Sequence, residues 1–255
     1  MSARPPSRPP RPASADGAFL EAYRPDDFAR PSVAVDLVVL TILRGELCVL
    51  LVRRREAPFA GELALPGGFV RVGDARRDQG EDLIDAARRE LTEETGLDAS
   101  LVWLEQLAAF GRPHRDPRMR VISVAYYAIV RPELAPGVRP GGDAEEALWM
   151  ELPRALRSRL AFDHREILAA ADERVRRDVD QSAIARHLVG ETFSIPELRA
   201  VRAILTGEPQ DPGNFRRRFA RMLDDGVVLP VTSEKRATAT KPAALYRFAP
   251  RRPRE

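Results

Sequence analysis

The feature that most constrains this chain is a charged run, Arg89 to Thr95, that ends just before a glycine. Glu90, Glu93 and Glu94 stand at positions i, i+3 and i+4, so in a helix all three carboxylates project from one face. Like charges four residues apart cost a helix about 0.2 to 0.5 kcal/mol per pair, a penalty that a bound cation removes. Because oxygen ligands suit Mg²⁺ or Mn²⁺, the cluster predicts a divalent-cation site for handling a diphosphate. A solvated acidic face is the weaker interpretation. The turn at Pro66-Gly67-Gly68, Arg89 and the helix stop at Gly96 all occur at definite spacings from the glutamates.

The surrounding sequence predicts strands interleaved with this helix. Two apolar, β-branched runs, VAVDLVVLTIL and ELCVLLVRR, flank residues 44–46, which predicts a hairpin of buried strands. The helix is expected over about 81–95, with Gly96 as its left-handed cap. Further strands are expected at 101–107 and 120–130. Strands alternating with a helix indicate an α/β layer fold.

Past residue 160 the pattern changes to helices with short breaks, followed by a strand pair around a basic loop. Ser194 caps one predicted helix, and Asp211-Pro212 opens the next, GNFRRRFARMLDDG, whose apolar stripe leaves an Asn/Arg-rich front. Helix, helix, helix and hairpin are the order of a winged helix, and such a front suits the major groove. Ordinary solvated faces are the alternative for both the helix and the loop. The predicted DNA contacts are Asn214, Arg216, Arg217, Arg218 and Arg221 on the helix, and Lys235, Arg236 and Lys241 in the wing.

Length and composition favour two domains within one globular protein. The 255 residues are 44% hydrophobic and 31% charged, enough apolar material for a core in each half. Net charge is only +3, yet from residue 211 onward 11 Lys or Arg stand against 5 Asp or Glu, which favours a polyanionic partner there. We expect a disordered Pro/Arg tail over 1–20, one domain over 21–158 and a DNA-binding domain over 159–255. The single cysteine suits a reducing compartment, and we identify neither a membrane-spanning apolar run nor a signal peptide in the sequence. We therefore expect a cytoplasmic location without membrane contact.

The acidic helix resembles the Nudix hydrolase family, whose signature is G-x5-E-x7-R-E-U-x-E-E-x-G-U, where U is aliphatic. Glu81 and REL-T-EETGL match its second half. From Gly68, Asp74 stands where the signature has glutamate, and Glu81 follows only after the additional DARRDQG. The resemblance implies an α/β/α sandwich and an ion pair between Arg89 and Glu81. It also implies metal ligation by the three helix glutamates, with Glu81, Arg89, Glu90, Glu93 and Glu94 as the catalytic set.

The flanking segments are similar to the branch of Nudix proteins that handle ADP-ribose. The similarity rests on Pro58-Phe59, Gly61, ALPGGFV and RDPRMRVISVAY. Arginines crowded between strands suit charge-assisted bonds to a diphosphate, with ordinary surface charge an equal alternative. The predicted ligand-binding residues are Arg53, Gly67, Gly68, Arg115, Arg118 and Arg120.

Both halves together resemble the NrtR family, Nudix-related transcriptional regulators of NAD metabolism. The similarity covers about residues 23–248 and includes the junction LAFDHREIL, the stretch DPGNFRRRF and a closing LYRF. It implies an α+β protein, a Nudix sandwich followed by a winged helix-turn-helix. It further implies a homodimer on a palindromic operator of NAD biosynthesis or salvage genes, with ADP-ribose as the effector that releases DNA. Two functions stay open: a ligand-responsive repressor, or a Mg²⁺-dependent ADP-ribose pyrophosphatase with an accessory C-terminal domain.

Overall fold

The structure, a computed structural model, describes residues 15–24, 27–73, 79–142, 144–179, 184–236 and 243–250. The chain divides into two compact units, Met1–Pro31 and Ser32–Glu255. The described helices are α1 (Ala15–Ala22), α2 (Leu83–Thr95), α3 (Leu152–Arg157), α4 (His164–Asp178), α5 (Ile184–Leu188), α6 (Ile195–Thr206) and α7 (Pro212–Asp224). The described strands are β1 (Ser32–Leu43), β2 (Glu46–Arg54), β3 (Leu63–Ala64), β4 (Gly67–Phe69), β5 (Trp103–Phe110), β6 (Val121–Ile129), β7 (Ala144–Glu151), β8 (Val228–Arg236) and β9 (Ala243–Phe248).

The first unit contains α1 and a short aromatic stack. The ring of Tyr23 lies 5.5 Å from that of Phe19 and 5.7 Å from that of Phe28. Residues 1–14 of the predicted disordered tail lie outside the described ranges. Residues 15–20, which we expected in the same tail, are helical instead, in a segment that contains the good helix formers Ala, Leu and Glu.

A seven-stranded mixed sheet forms the centre of the second unit. Its main order is β3-β2-β1-β6-β5, while β4 pairs with β1 and β7 pairs with β2. The predicted hairpin is confirmed: β1 and β2 are antiparallel, with Leu43 opposite Glu46 across a tight turn. Strands β1 and β6 run parallel and lie side by side at the middle of the sheet. The carboxyl ends of these strands are therefore directed toward the same edge.

Alternation along β1 builds a core on each face of the sheet. Val35, Leu37 and Val39 pack on one face against the apolar side of α2. Val38 and Leu40 pack on the other face, in a cluster that includes apolar residues of α3, α4, α5 and α6. The result is the helix–sheet–helix sandwich that the sequence predicts. Helix α2 carries the acidic cluster, and Gly96 closes it in the left-handed conformation at φ 69°.

The C-terminal elements form a winged helix with a smaller core of its own. Phe215 and Phe219 of α7 pack with Phe193 and Val228. Helix α6 begins with a complete capping box, in which the Ser194 side chain accepts from the Glu197 backbone N–H and the Glu197 carboxylate accepts from the Ser194 backbone N–H. Strands β8 and β9 form the antiparallel hairpin that follows α7. The predicted order of helices and hairpin is confirmed.

Helix α4 is the element that joins the two halves. The sequence places it in the DNA-binding half, yet four of its side chains, Ile167, Leu168, Ala171 and Val175, are fully buried in the core beneath the sheet. Leu205 of α6 belongs to the same cluster. The sheet core therefore continues into α6 of the winged helix.

None of the helices within the described ranges is long and apolar enough to cross a membrane.

Candidate functional site

One arginine organises the acidic face of α2. The Arg89 guanidinium donates two hydrogen bonds to Glu81, at 2.6 and 2.9 Å, and one each to Glu90 and Glu93, at 2.6 and 3.0 Å. It also donates to the Phe69 carbonyl of β4 at 3.2 Å. The ion pair between Arg89 and Glu81 is thus confirmed, and the hydrogen bond from Arg89 lowers the pKa of Glu81 to about 2. Burial raises the pKa of Glu90, against the opposing effect of Arg89.

The glycine turn at β4 lies directly against this helix. A Cβ on Gly68 would stand 2.3 Å from a carboxylate oxygen of Glu90, so only glycine allows this approach. The Gly67 backbone N–H donates to the Glu94 carboxylate at 2.9 Å, and Glu94 is almost fully buried. The Pro-Gly-Gly turn and the helix carboxylates therefore form one packed unit.

The carboxylates of this unit have the chemistry that Mg²⁺ prefers, but they do not converge. Glu93 is half-exposed and also accepts from Arg71 at 3.0 Å, while Glu94 is directed to the backbone of the turn. Among the residues that the structure describes, no three acidic, His or Cys side chains are gathered closely enough to hold a metal ion. This arrangement does not fit a preformed metal site.

A cavity opens beside the glycine turn, between the sheet edge and the start of α4. It is lined by Ala34, Asp36, Val52, Arg54, Leu65, Gly67, Gly68, Phe69, Glu94, Arg115, Asp116, Arg118, Val121, Ala144, Phe162 and His164. The lining combines guanidinium groups, two phenyl rings and backbone of the glycine turn. These groups suit a ligand that has both an anionic part and a flat apolar part.

A buried ionic network forms the floor of this cavity. Arg115, with only 5% of its side chain exposed, donates to Asp163 at 2.6 and 2.8 Å and to Asp36 at 3.0 Å. His164 lies 3.4 Å from the other oxygen of Asp36, and its Nδ1 accepts the Leu65 backbone N–H at 2.9 Å. Burial alone would raise the pKa of Asp36, but His164, Arg115 and the hydroxyl of Ser123 lower it to about 2. The network joins β1 and the loop before β6 to the N-terminus of α4.

Phe162 lines the cavity, and its ring lies near two arginines. The guanidinium carbon of Arg54 lies 5.0 Å from the ring centroid, and that of Arg118 lies 5.9 Å from it. Arg118 is also 5.2 Å from the Phe69 ring and forms a two-bond pair with the buried Asp116. Phe162 has φ 54°, a left-handed conformation that few residues other than glycine adopt.

Helix α7 presents a second charged surface, on the side away from its buried phenylalanines. Asp211 caps the helix by accepting the Asn214 backbone N–H at 2.7 Å. Asn214, Arg217 and Arg221 are exposed and stand at i, i+3 and i+7, so they form one ridge, on which Arg217 donates to the Asn214 side chain. Burial, and then the charge of Arg221, lower the pKa of the half-buried Arg218. An external polyanion would relieve this accumulation of positive charge.

Comparisons with known proteins identify both halves. The model of the NUDIX domain matches residues 30–171, more than half of the chain, and that of the NrtR DNA-binding winged helix domain matches residues 185–248. A relative from Acinetobacter baylyi, the ADPR responsive transcriptional repressor NtrR, is 34% identical over 236 residues, which cover 92% of this chain and 89% of the relative. The chain belongs to this Nudix and winged-helix repressor family.

Two solved structures of Shewanella oneidensis NrtR agree with the assignment to the family. The structure complexed with a 27mer DNA is 31% identical with a TM-score of 0.70, and the match covers 85% of this chain and 93% of that one. The NUDIX domain of the same protein complexed with ADP ribose is 30% identical with a TM-score of 0.53, and the match covers 63% of this chain and 98% of that one.

The repressor-family fold brings some of the predicted ligand-binding residues together and separates others. Gly67, Gly68, Arg115 and Arg118 line one cavity. Arg53 lies outside the cavity lining and pairs with Glu146 at 3.0 Å. Arg120 also lies outside the lining and is exposed.

Among the lining residues that the sequence prediction did not include, Arg54, Asp36 and Phe162 differ in whether any signal could have found them. Arg54 takes the place expected for Arg53 because the β2–β7 register shifts between these two residues, a bulge that strand alternation cannot foresee. Asp36 reads as a polar interruption of an apolar strand, a signal that could have singled it out. Phe162 follows a predicted strand-to-helix junction, and nothing in its local pattern distinguishes it.

One of the predicted DNA-binding residues of α7 differs from the others in its solvent exposure. Asn214, Arg216, Arg217 and Arg221 are exposed, whereas Arg218 is half-buried. Lys235 and Arg236 lie in β8, but their side chains are outside the described residues, as is the whole of Lys241.

Proposed function

We propose that this protein is a transcriptional repressor whose operator binding responds to ADP-ribose or a closely related NAD metabolite. The observation that carries the proposal is the combination, in one compact unit, of an arginine-lined cavity and a winged helix with an exposed Asn/Arg ridge. The A. baylyi repressor, similar over nearly the whole chain, supports the same pairing of effector and DNA.

The cavity suits ADP-ribose by its chemistry. The guanidinium groups of Arg54 and Arg118 provide charge-assisted bonds for a diphosphate, and the Phe69 and Phe162 rings provide flat apolar surfaces for a base. Arg115 is paired with two buried carboxylates and is only 5% exposed, so it acts from the floor, whereas Arg118 pairs with Asp116 but keeps 40% of its side chain exposed to a phosphate. We therefore assign the predicted ligand role to Arg118, Gly67 and Gly68, and add Arg54 and Phe162.

The DNA partner is proposed to be a palindromic operator of NAD biosynthesis or salvage genes, bound in the cytoplasm by a homodimer. Support comes from the ridge on α7, whose spacing suits the major groove, and from resemblance to the family. Two recognition helices related by a two-fold axis would contact half-sites about one helical turn apart. Effector binding would favour a geometry that no longer matches those half-sites.

The alternative is a Mg²⁺-dependent ADP-ribose pyrophosphatase, which yields AMP and ribose 5-phosphate. The retained Glu90, Glu93 and Glu94 favour it, since these would hold Mg²⁺ or Mn²⁺, the cation that activates water for attack on a diphosphate. Their commitment to Arg89, Arg71 and the glycine turn argues for the repressor instead. If the protein is a repressor as proposed, release of the operator by ADP-ribose does not require a divalent cation. Only hydrolysis would require one.

One titration tests both functions. Purified protein is bound to fluorescent DNA from its own upstream region, ADP-ribose is added with Mg²⁺ or with EDTA, and AMP is measured in the same samples. Loss of specific DNA binding in both conditions, without AMP, supports the repressor. Steady AMP production with no specific DNA binding would overturn it and leave the hydrolase.

A further inference from the structure

Helix α4 begins at the cavity. Its first residue, His164, lines the cavity and contacts Asp36, while the preceding residue, Asp163, holds Arg115 through two hydrogen bonds. All four side chains are buried or nearly so. Any ligand that moves the cavity floor therefore acts directly on the N-terminus of α4.

The other end of α4 contacts the helix-turn-helix. Arg176, near the last turn of α4, donates to the backbone carbonyl of Thr206 at 2.6 Å. Thr206 is the final residue of α6, where helix carbonyls lack partners within the helix. A guanidinium there satisfies one such carbonyl and also interacts favourably with the negative end of the helix dipole.

The turn after α6 packs closely against this arginine. Gly207, the left-handed cap of α6 at φ 70°, lies so close that a Cβ on it would stand 2.5 Å from Arg176 Nη1. The chain then turns through residues 208–211 into α7, which carries the exposed Asn/Arg ridge. Asp172 accepts from Arg176 at 2.8 Å and fixes its guanidinium against α4. Arg176 thus fixes the end of α6 that leads to the recognition helix.

Between its ends α4 behaves as a rigid connector. It has 15 residues, which corresponds to about 22 Å at 1.5 Å per residue. Its buried side is packed into the core beneath the sheet, and Arg174 ties it to Glu105 of β5 at 3.0 Å. A close-packed helix transmits a displacement of one end to the other rather than absorbing it.

We infer that α4 carries the effector signal, with Asp163 and His164 as its input at the cavity and the Arg176 cap on α6 as its output at the DNA-binding half. Arg176 is a positioning residue: it contacts neither effector nor DNA but sets the angle at which α7 is presented. The inference rests on the proposed function, because it names how occupancy of that same cavity reaches the operator-binding helix.

The test measures coupling, the ratio of operator dissociation constants with and without saturating ADP-ribose. For the native protein we expect a ratio within the usual allosteric range of about 5- to 150-fold. Arg176→Met is expected to reduce the ratio to within about threefold of unity, with ADP-ribose affinity from calorimetry unchanged. Arg177→Met is the matched control, since the neighbouring side chain is exposed and pairs only locally with Asp178 in the described contacts. This control should keep the native ratio.

Two more variants separate signalling from simple structural damage. Arg176→Lys retains a donor for the Thr206 carbonyl and should restore part of the coupling. Asp163→Asn breaks the input end and should also abolish coupling, and it keeps the inference testable where Arg176→Met fails to fold. Combined with Arg176→Met, it should remove no more coupling than either change alone, because both interrupt one connection.

The outcomes are distinct. Native coupling that persists in folded Arg176→Met or in Asp163→Asn overturns the role of α4 and leaves the repressor intact. A native protein that binds ADP-ribose and operator without any coupling overturns the proposed function itself.

Discussion

Helices α2 and α7 are both 13 residues long and both carry a charged face, yet they place that charge differently. On α2 opposite charges pair with one another, since Arg89 donates hydrogen bonds to Glu81, Glu90 and Glu93. On α7 the exposed charges of the ridge, Arg217 and Arg221, are both positive, and Arg218 has its pKa lowered by burial and by a neighbouring arginine. The first helix uses charge to hold its own domain together, and the second accumulates charge for a partner.

Charge content alone therefore does not locate a binding surface on either helix. The acidic cluster of α2 is the more specific sequence signal, but its carboxylates are occupied by arginines and by the glycine turn. The basic run of α7 is a weaker signal on its own, and it is the one that presents an open ridge. Substitutions at matched positions test this difference between the helices. Removing an internal charge should lower the free energy of unfolding, whereas removing an external charge should lower the affinity for the operator.

The largest effect is expected for Arg89→Met. Removing the guanidinium takes the ion-pair partner from Glu81 and from the nearly buried Glu90, while Glu93 keeps Arg71, and we expect a loss of about 3 kcal/mol in the free energy of unfolding. Arg88→Met is the matched control: its side chain is 54% exposed, pairs with Asp85, and should change the free energy by less than about 0.5 kcal/mol. Urea denaturation followed by circular dichroism measures both. Equal effects of the two variants would refute the internal role of charge on α2.

The buried network gives the next largest effect, as a pH dependence. The folded pKa of Asp36, about 2, lies below the unfolded value near 3.8, so the stabilisation is present above about pH 4 and is lost as pH falls toward 2. The depression corresponds to about 2 kcal/mol. Asp36→Asn should therefore differ most from the native protein at pH 5 and progressively less toward pH 2, in urea denaturation at each pH. A constant difference for Asp36→Asn across this pH range would contradict the assignment.

Local patterns predicted α2 and α7 well because their determinants are close in sequence. The Glu81–Arg89 pair lies within about two helical turns, and the caps at Ser194 and Asp211 act within three residues. The general fold followed from the same local rules of alternation, turns and caps. What could not be predicted is the cavity floor, in which Asp36, Arg115 and Asp163 come from three distant segments.

Helix α4 shows the same limit at the level of domains. Its sequence reads as the first helix of the DNA-binding half, since it follows the change from strands to helices. Packing places its buried side chains beneath the sheet instead, and only its last turns reach α6. Amphipathic periodicity shows that a helix has a buried face, but not which neighbouring element covers that face.

The ridge of α7 should show an intermediate effect, on affinity rather than on stability. Arg217→Ala and Arg221→Ala are each expected to weaken operator binding about tenfold and to reduce the slope of log affinity against log salt by about 1. The free energy of unfolding and the ADP-ribose affinity should not change. Arg157→Ala, exposed on α3, is the control that should leave operator binding intact. Fluorescence anisotropy across a salt series checks the prediction, and a loss of stability without a change in slope would place these arginines with the internal charges of α2.

The smallest effect on folding and on operator binding is expected at Glu94 of α2. Glu94→Gln keeps an oxygen that accepts the Gly67 N–H, so folding should change by less than about 1 kcal/mol and operator binding without ADP-ribose by less than twofold. If the pyrophosphatase alternative holds, any AMP release should disappear, because the Nudix resemblance assigns this carboxylate to the catalytic set. Anisotropy and an AMP assay on the same preparation separate the two readouts. Weaker operator binding in this variant would mean that the charge of α2 also acts at the DNA, and the division between internal and external charge would fail.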